Sequence, residues 1–259
     1  MKKIILFLTI ALLISFSGYS SAQENKNPKE EPVYSVLGSL YNWKTAWEGK
    51  NINKYVSFYH PDKNFAGLPI DKFKERKKYI FQKAGKIALS ISNLCVEEKK
   101  DEIITKFTQY YQVKDHLDIG EKSLTWAKKG KDWKIISEQF TTIKSKENIK
   151  LSPLGVKTLE KNKKEMLVLK ITESDFKKLK VHQSIATTFK FIIDFPQNYK
   201  FDPQEPSIIH LKSSLIEGAV MYQYNNCSLR RGVIFLAPYK DYTIVASYNK
   251  GLVVFLIQN

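Results

Sequence analysis

Val36, Leu40, Trp43 and Trp47 recur at spacings of four, three and four residues, the period that lines apolar side chains along one face of an α-helix. The pattern opens at Val33, and Gly49 closes it. Ile52, Tyr55, Val56 and Tyr59 mark a second, shorter helix that Pro61 ends. A third is predicted from Asp71, a suitable N-cap, to Ala84, with Phe73, Ile80, Phe81 and Ala84 opposite a charged face and Gly85 beyond. Past Gly85 the period changes to alternation. Residues 87–92 read as a strand, 97–101 as a charged turn, 103–113 as a β-rich run and 114–120 as a loop containing Gly120. Residues 123–127 alternate, 128–132 form a tight polar hairpin, and 133–140 make a last strand. Three helices followed by a curved antiparallel sheet is an α+β order, and such a sheet can wrap the helices into a cone with a cavity.

A lysine-rich linker is expected over 144–165, broken by Ser152-Pro153-Leu154-Gly155. Beyond it, strand patterns at 166–171, 187–195, 207–211, 218–224, 232–236, 242–247 and 252–257 predict a separate all-β, sandwich-like domain over 166–259. The apolar run 252–256 suits a core strand and is too short for a membrane tail. At the other end, Lys2 and Lys3 precede an apolar run over 4–16, and Ser20 and Ala22 offer a peptidase site before Gln23. Residues 1–22 therefore read as a signal peptide, with a retained anchor as the alternative, and 23–32 as a disordered lead-in. The expected location is periplasmic or secreted, with no stable membrane span after cleavage.

The run Trp43-Lys44-Thr45-Ala46-Trp47, then Tyr55-Val56-Ser57-Phe58-Tyr59-His60-Pro61, resembles the nuclear-transport-factor-2-like (SnoaL-like) superfamily. Ile91-Ser92-Asn93-Leu94, Phe107-Thr108-Gln109-Tyr110-Tyr111 and the stretch Gly130 to Glu138 continue it. The likeness covers 33–143 and is greatest to the version attached to bacterial L,D-transpeptidases and related envelope proteins. It implies a cone-shaped α+β fold, often dimeric through the sheet, and no particular activity. A second stretch, Phe189-Lys190-Phe191-Ile192-Ile193-Asp194-Phe195-Pro196, resembles AMIN-type domains, small β-sandwiches that target envelope proteins to peptidoglycan. Lys190 stands where that family has arginine.

Composition adds limits. With 43% hydrophobic and 26% charged residues the chain is globular, not disordered throughout. Its formal charge of +16 raises nucleic acid as a partner, but Arg76, Arg230 and Arg231 are the only arginines and the lysines are diffuse. Nucleic-acid readers use guanidinium forks and local clusters, so nucleic acid is not expected.

Candidate chemistry is sparse. Cys95 and Cys227 are the only cysteines, and an oxidising compartment would let them pair or leave two buried thiols. Neither belongs to a metal-binding spacing, and phosphate and calcium loops are absent, so no metal or cofactor is expected. His210 upstream of Cys227 invites comparison with the transpeptidase Ser-His-Gly-Cys-x-Arg motif, but Asn225-Asn226-Cys227-Ser228-Leu229-Arg230 lacks the His-Gly pair and places arginine one position late. No catalytic residue is assigned. Tyr55, Tyr59, Tyr110, Trp126 and Glu138 are candidates to line a pocket, with Arg76 at its mouth. The plainer reading makes the aromatics core. Lys122, Trp126, Lys128, Lys129 and Lys131 suit a saccharide or anionic polymer, or else a solvated hairpin. The function these observations favour is a non-catalytic envelope binding protein that engages peptidoglycan or a wall-modifying enzyme. A small-molecule binder or enzyme using the cone cavity is the alternative, and a homodimer through the first sheet is a further expectation.

Overall fold

The computed structural model describes residues 31–114, 116–143, 157–161, 164–170, 172–184, 190–196, 199, 206–210, 216–224, 229–236, 243–249 and 252–258. The signal peptide, nearly all of the lead-in, the first part of the linker and Cys227 lie outside them. Helix α1 (Glu31–Glu48) is followed by α2 (Ile52–Ser57) and α3 (Ile70–Lys83). Lys50, at φ 54, turns the chain out of α1 and into Asn51, whose side chain caps α2 by accepting from Lys54 N at 3.0 Å. The N-cap of α3 is Pro69, not Asp71, which falls in the first turn. There its carboxylate faces the positive end of the helix dipole.

Four antiparallel strands come next: β1 (Ile87–Glu98), β2 (Glu102–Val113), β3 (His116–Lys129) and β4 (Asp132–Thr142). The expected loop at 114–120 is mostly strand, because β3 pairs with β2 from His116 onward. Gly120 is a strand glycine rather than a turn glycine. A Cβ there would sit 2.5 Å from the Phe140 ring and from the Thr141 carbonyl oxygen, so the close approach of β4 requires it.

The second half provides β5 (Lys157–Lys161), β6 (Lys164–Lys170), a single turn α4 (Glu173–Phe176), β7 (Lys180–Ser184), β8 (Lys190–Asp194), β9 (Ile208–His210), β10 (Ile216–Tyr224), β11 (Leu229–Leu236), β12 (Thr243–Asn249) and β13 (Leu252–Gln258). Part of the expected linker is therefore strand, with β5 and β6 paired as a hairpin.

The separate all-β domain is corrected. Strands β10, β11, β8 and β7 continue the first sheet in the order β4-β3-β2-β1-β10-β11-β8-β7, with β9 also on β10. Only β12-β13-β6-β5 form a sheet of their own. Ile192, Ile208, Val220, Tyr222, Val233 and Phe235 share one apolar cluster with Leu40, Trp43 and Ile91. The physical reason lies in β10, which is buried on both faces and so must be a central strand.

The joint is parallel, Cys95 against Gln223 and Val96 against Tyr224. Below it β1 bulges between Ser92 and Cys95, with Asn93 at φ 52. Ser207 fills the gap: its N–H donates to Ile91 O at 2.6 Å, its hydroxyl accepts from Leu94 N at 3.1 Å, and its carbonyl accepts from Met221 N at 2.7 Å. Cys95 is disulfide-bonded. Reducing it is expected to cost about 2–4 kcal/mol, read as a lower urea midpoint with dithiothreitol; an unchanged midpoint would show that the bond constrains nothing.

Candidate functional site

The helices fill the hollow of the first sheet with aromatic side chains. Trp43 and Trp47 come from α1, Tyr55 from α2, and Phe73 and Phe81 from α3, all buried. Tyr59 follows α2, where His60 N and Ile135 O, at 2.8 Å, pin the chain to β4. His60 itself closes a turn by accepting from Asp62 N at 3.2 Å.

A chain of polar contacts runs through this apolar interior. Trp43 Nε1 donates to the Tyr59 hydroxyl at 3.1 Å, and the Tyr55 and Tyr59 hydroxyls lie 2.6 Å apart. Tyr59 donates to Glu138 Oε2 at 2.6 Å, and the other carboxylate oxygen accepts from Lys122 Nζ. Lys122 lies 5.5 Å from the Trp43 ring centroid, 5.1 Å from Trp47 and 5.4 Å from Phe140. Lys77 Nζ sits 4.9 Å from the Trp47 centroid and 5.3 Å from that of Phe73. Trp47 Nε1 and Gln109 Oε1 are buried without a hydrogen-bond partner, groups of the kind an interior water satisfies.

The electrostatics follow from burial. Burial alone would raise the Glu138 carboxyl, but Lys122 and then Lys77, with the two hydrogen bonds, outweigh it and hold the group at about 2. Burial pushes Lys77 down to about 8, against the pull of Glu138. Burial and Glu138 together keep the Tyr55 and Tyr59 hydroxyls well above their ordinary value. A carboxylate held so low, with both oxygens engaged, is a poor proton acceptor at neutral pH. The arrangement ties the end of α2 and strand β3 to β4 through Glu138.

Tyr55, Tyr59 and Glu138 thus converge. Trp126 is also buried on this face, where its Nε1 donates to Thr105 Oγ1 at 3.0 Å. The Glu138 side chain, on β4, is only 16% exposed. Two candidates fall outside. Tyr110 is out of phase with Phe107, Gln109 and Tyr111, so its ring projects to the other face of β2; Tyr111 meets Trp47 instead, at 5.6 Å. Arg76 faces solvent, and its neighbour Lys77 points inward. The spacing Phe73, Lys77, Phe81 is the signal that would have found it. Lys122, placed above with a surface hairpin, belongs to the interior because it alternates with Leu124 and Trp126.

His210 has other partners. Its Nδ1 lies 2.7 Å from the Tyr41 hydroxyl, which donates to Glu217 O at 2.7 Å, and its Nε2 lies 3.7 Å from Glu48. Glu48 also accepts from Lys44 at 2.6 Å and from Leu89 N at 3.0 Å. Burial first, then Glu217 and Glu48, push Tyr41 up to about 12. This cluster ties α1 to both halves of the sheet. No group of three or more metal-ligating side chains occurs among the described residues, and no described helix is long and apolar enough to cross a membrane.

An open groove of about 480 Å³ lies elsewhere, behind α1. The end of α2, the β3–β4 turn and strands β8, β10 and β11 complete its walls.

Residues 35–139 match the Cds6 C-terminal NTF2-like domain, and this segment is an NTF2-like domain. The chain is similar to Bd1075 of Bdellovibrio bacteriovorus, at 25% identity over 47% of this chain and 44% of that one, TM-score 0.43. It is also similar to Pgp2 of Campylobacter jejuni, described as a helical cell shape determining protein, at 26% identity over 41% and 40%, TM-score 0.37. An NTF2-like protein of unknown function from Pseudomonas putida KT2440 matches at 13% identity over 44% and 88%, TM-score 0.39. The match spans less than half the length of Bd1075 and Pgp2. No curated protein matches the chain. The AMIN-type stretch lies outside the family match, and its strand β8 belongs to the shared nine-stranded sheet.

Proposed function

We propose that this protein is an exported, non-catalytic binding protein of the cell envelope that associates with peptidoglycan or with enzymes that modify it. The observation that carries the non-catalytic part is the filled hollow. Where an enzyme on this scaffold would keep a desolvated acid or base in an open cavity, Glu138 is bonded to Lys122 and Tyr59 and walled in by buried aromatics. That packing weighs against the small-molecule reading of the cone. The leader-like residues 1–22 support export, and the diffuse lysine surplus supports attraction to an anionic wall surface.

The test is co-sedimentation of the chain from Gln23 onward with purified sacculi at moderate salt, beside an unrelated protein of equal positive charge. Retention well above that control is the expected result. Retention no better than the control would overturn wall association.

A further inference from the structure

We propose that the groove behind α1 is a saccharide-binding site. The proposal rests on the wall-association reading for the identity of the saccharide and on the groove alone for its place.

A volume of about 480 Å³ falls within the range of small-molecule sites. The walls are mixed in chemistry. Trp133, Phe58 and Phe235 offer aromatic surface, and Ser35, Ser39 and Asn42 on α1 offer hydroxyl and amide groups. A sugar ring has the complementary character, an apolar C–H face bounded by hydroxyls. Asn42 Nδ2 donates to Gly38 O at 3.0 Å, which orients its amide oxygen. Two of the three lining lysines are engaged within the wall: Lys134 donates to Ser57 O at 2.8 Å and pairs with Asp132 at 3.3 Å, and Lys190 lies over Tyr34 at 4.9 Å. With Lys131 as the third lysine against Asp132 and Glu217, the lining carries one positive charge in excess. It therefore suits an amide-bearing saccharide with a single carboxylate better than a doubly charged phosphate.

Gly38 is the second, independent observation. It sits in the middle of α1, where glycine is disfavoured relative to alanine. Its backbone does not need glycine, because its φ is not left-handed, and packing does not exclude a side chain, because an added Cβ would meet only the Phe235 ring at 3.9 Å. What glycine keeps at this position is open space in the groove.

The test titrates peptide-free glycan fragments, obtained from sacculi with an amidase that removes the stem peptides and a muramidase that cuts the strands, against the chain from Gln23 and against Gly38→Leu and Trp133→Leu, read by calorimetry. The unaltered chain is expected to bind. Gly38→Leu should raise or preserve the thermal midpoint yet weaken binding by about tenfold or more, the effect of losing a single good contact. Trp133→Leu should weaken it several-fold. Unchanged affinity in Gly38→Leu, or no binding of fragments by the unaltered chain, would overturn the proposal. Sacculus retention without fragment binding would leave wall association standing and remove the groove. Fragment binding sensitive to Gly38→Leu, without sacculus retention, would do the reverse.

Discussion

Replacing Glu138 with alanine is expected to lower folding stability by about 3–5 kcal/mol, the range for stranding a buried charge. Lys122 is the reason. Its side chain is 3% exposed and ringed by Trp43, Trp47 and Phe140. Without the carboxylate its ammonium has no compensating charge, and Lys77 adds like-charge repulsion. The paired change Lys122→Met with Glu138→Leu should recover most of the loss, because an apolar pair needs no desolvation of ions. Urea titration of the three variants checks this; a double variant no better than Glu138→Ala would refute the charge argument. The pH dependence has a definite sign. Glu138 titrates at about 2 in the folded chain against an ordinary 4.5. Its contribution, roughly 3 kcal/mol, is therefore complete above pH 4.5 and lost as pH falls toward 2. Glu138→Gln should flatten stability across that window.

A chain ending at Ile143 is expected not to fold as a soluble monomer, although the family match ends at 139. Removing β7 to β11 uncovers the outer edge of β1 and takes Ile192, Ile208, Val220, Tyr222 and Val233 out of the common core. It also exposes the side of α1 that carries Tyr34, Leu37 and Tyr41. A bare strand edge beside apolar surface favours association. Size-exclusion chromatography with dye binding checks this, and a cooperative monomer at 31–143 would count against a single core.

That second side of α1 shows what could be read in advance. Tyr34, Leu37 and Tyr41 recur at three and four, as regular a stripe as Val36, Leu40, Trp43 and Trp47. Together they make a helix apolar over more than half its circumference, which needs more cover than four strands give. The helices and first four strands were legible because period and turn residues agree there. The union of the two halves was not, since parallel pairing between distant strands leaves no local signature. Tyr55, Tyr59 and Glu138 were legible as a group, whereas Lys77 was hidden by its charge and its neighbour Arg76. Lys122 was misplaced because a lysine among aromatics reads as surface unless alternation is followed along the whole of β3.

Ser207 and Leu94, which meet at the parallel joint, are 113 residues apart in the chain. Closing so long a loop is entropically slow, whereas α1 to β4 assemble from neighbours in sequence. The joint is thus expected to form last in the sheet, leaving the rim of β1 available to a second molecule until it does. Refolding yield should fall with protein concentration, and export in an unfolded form would place that vulnerable interval outside the cytoplasm.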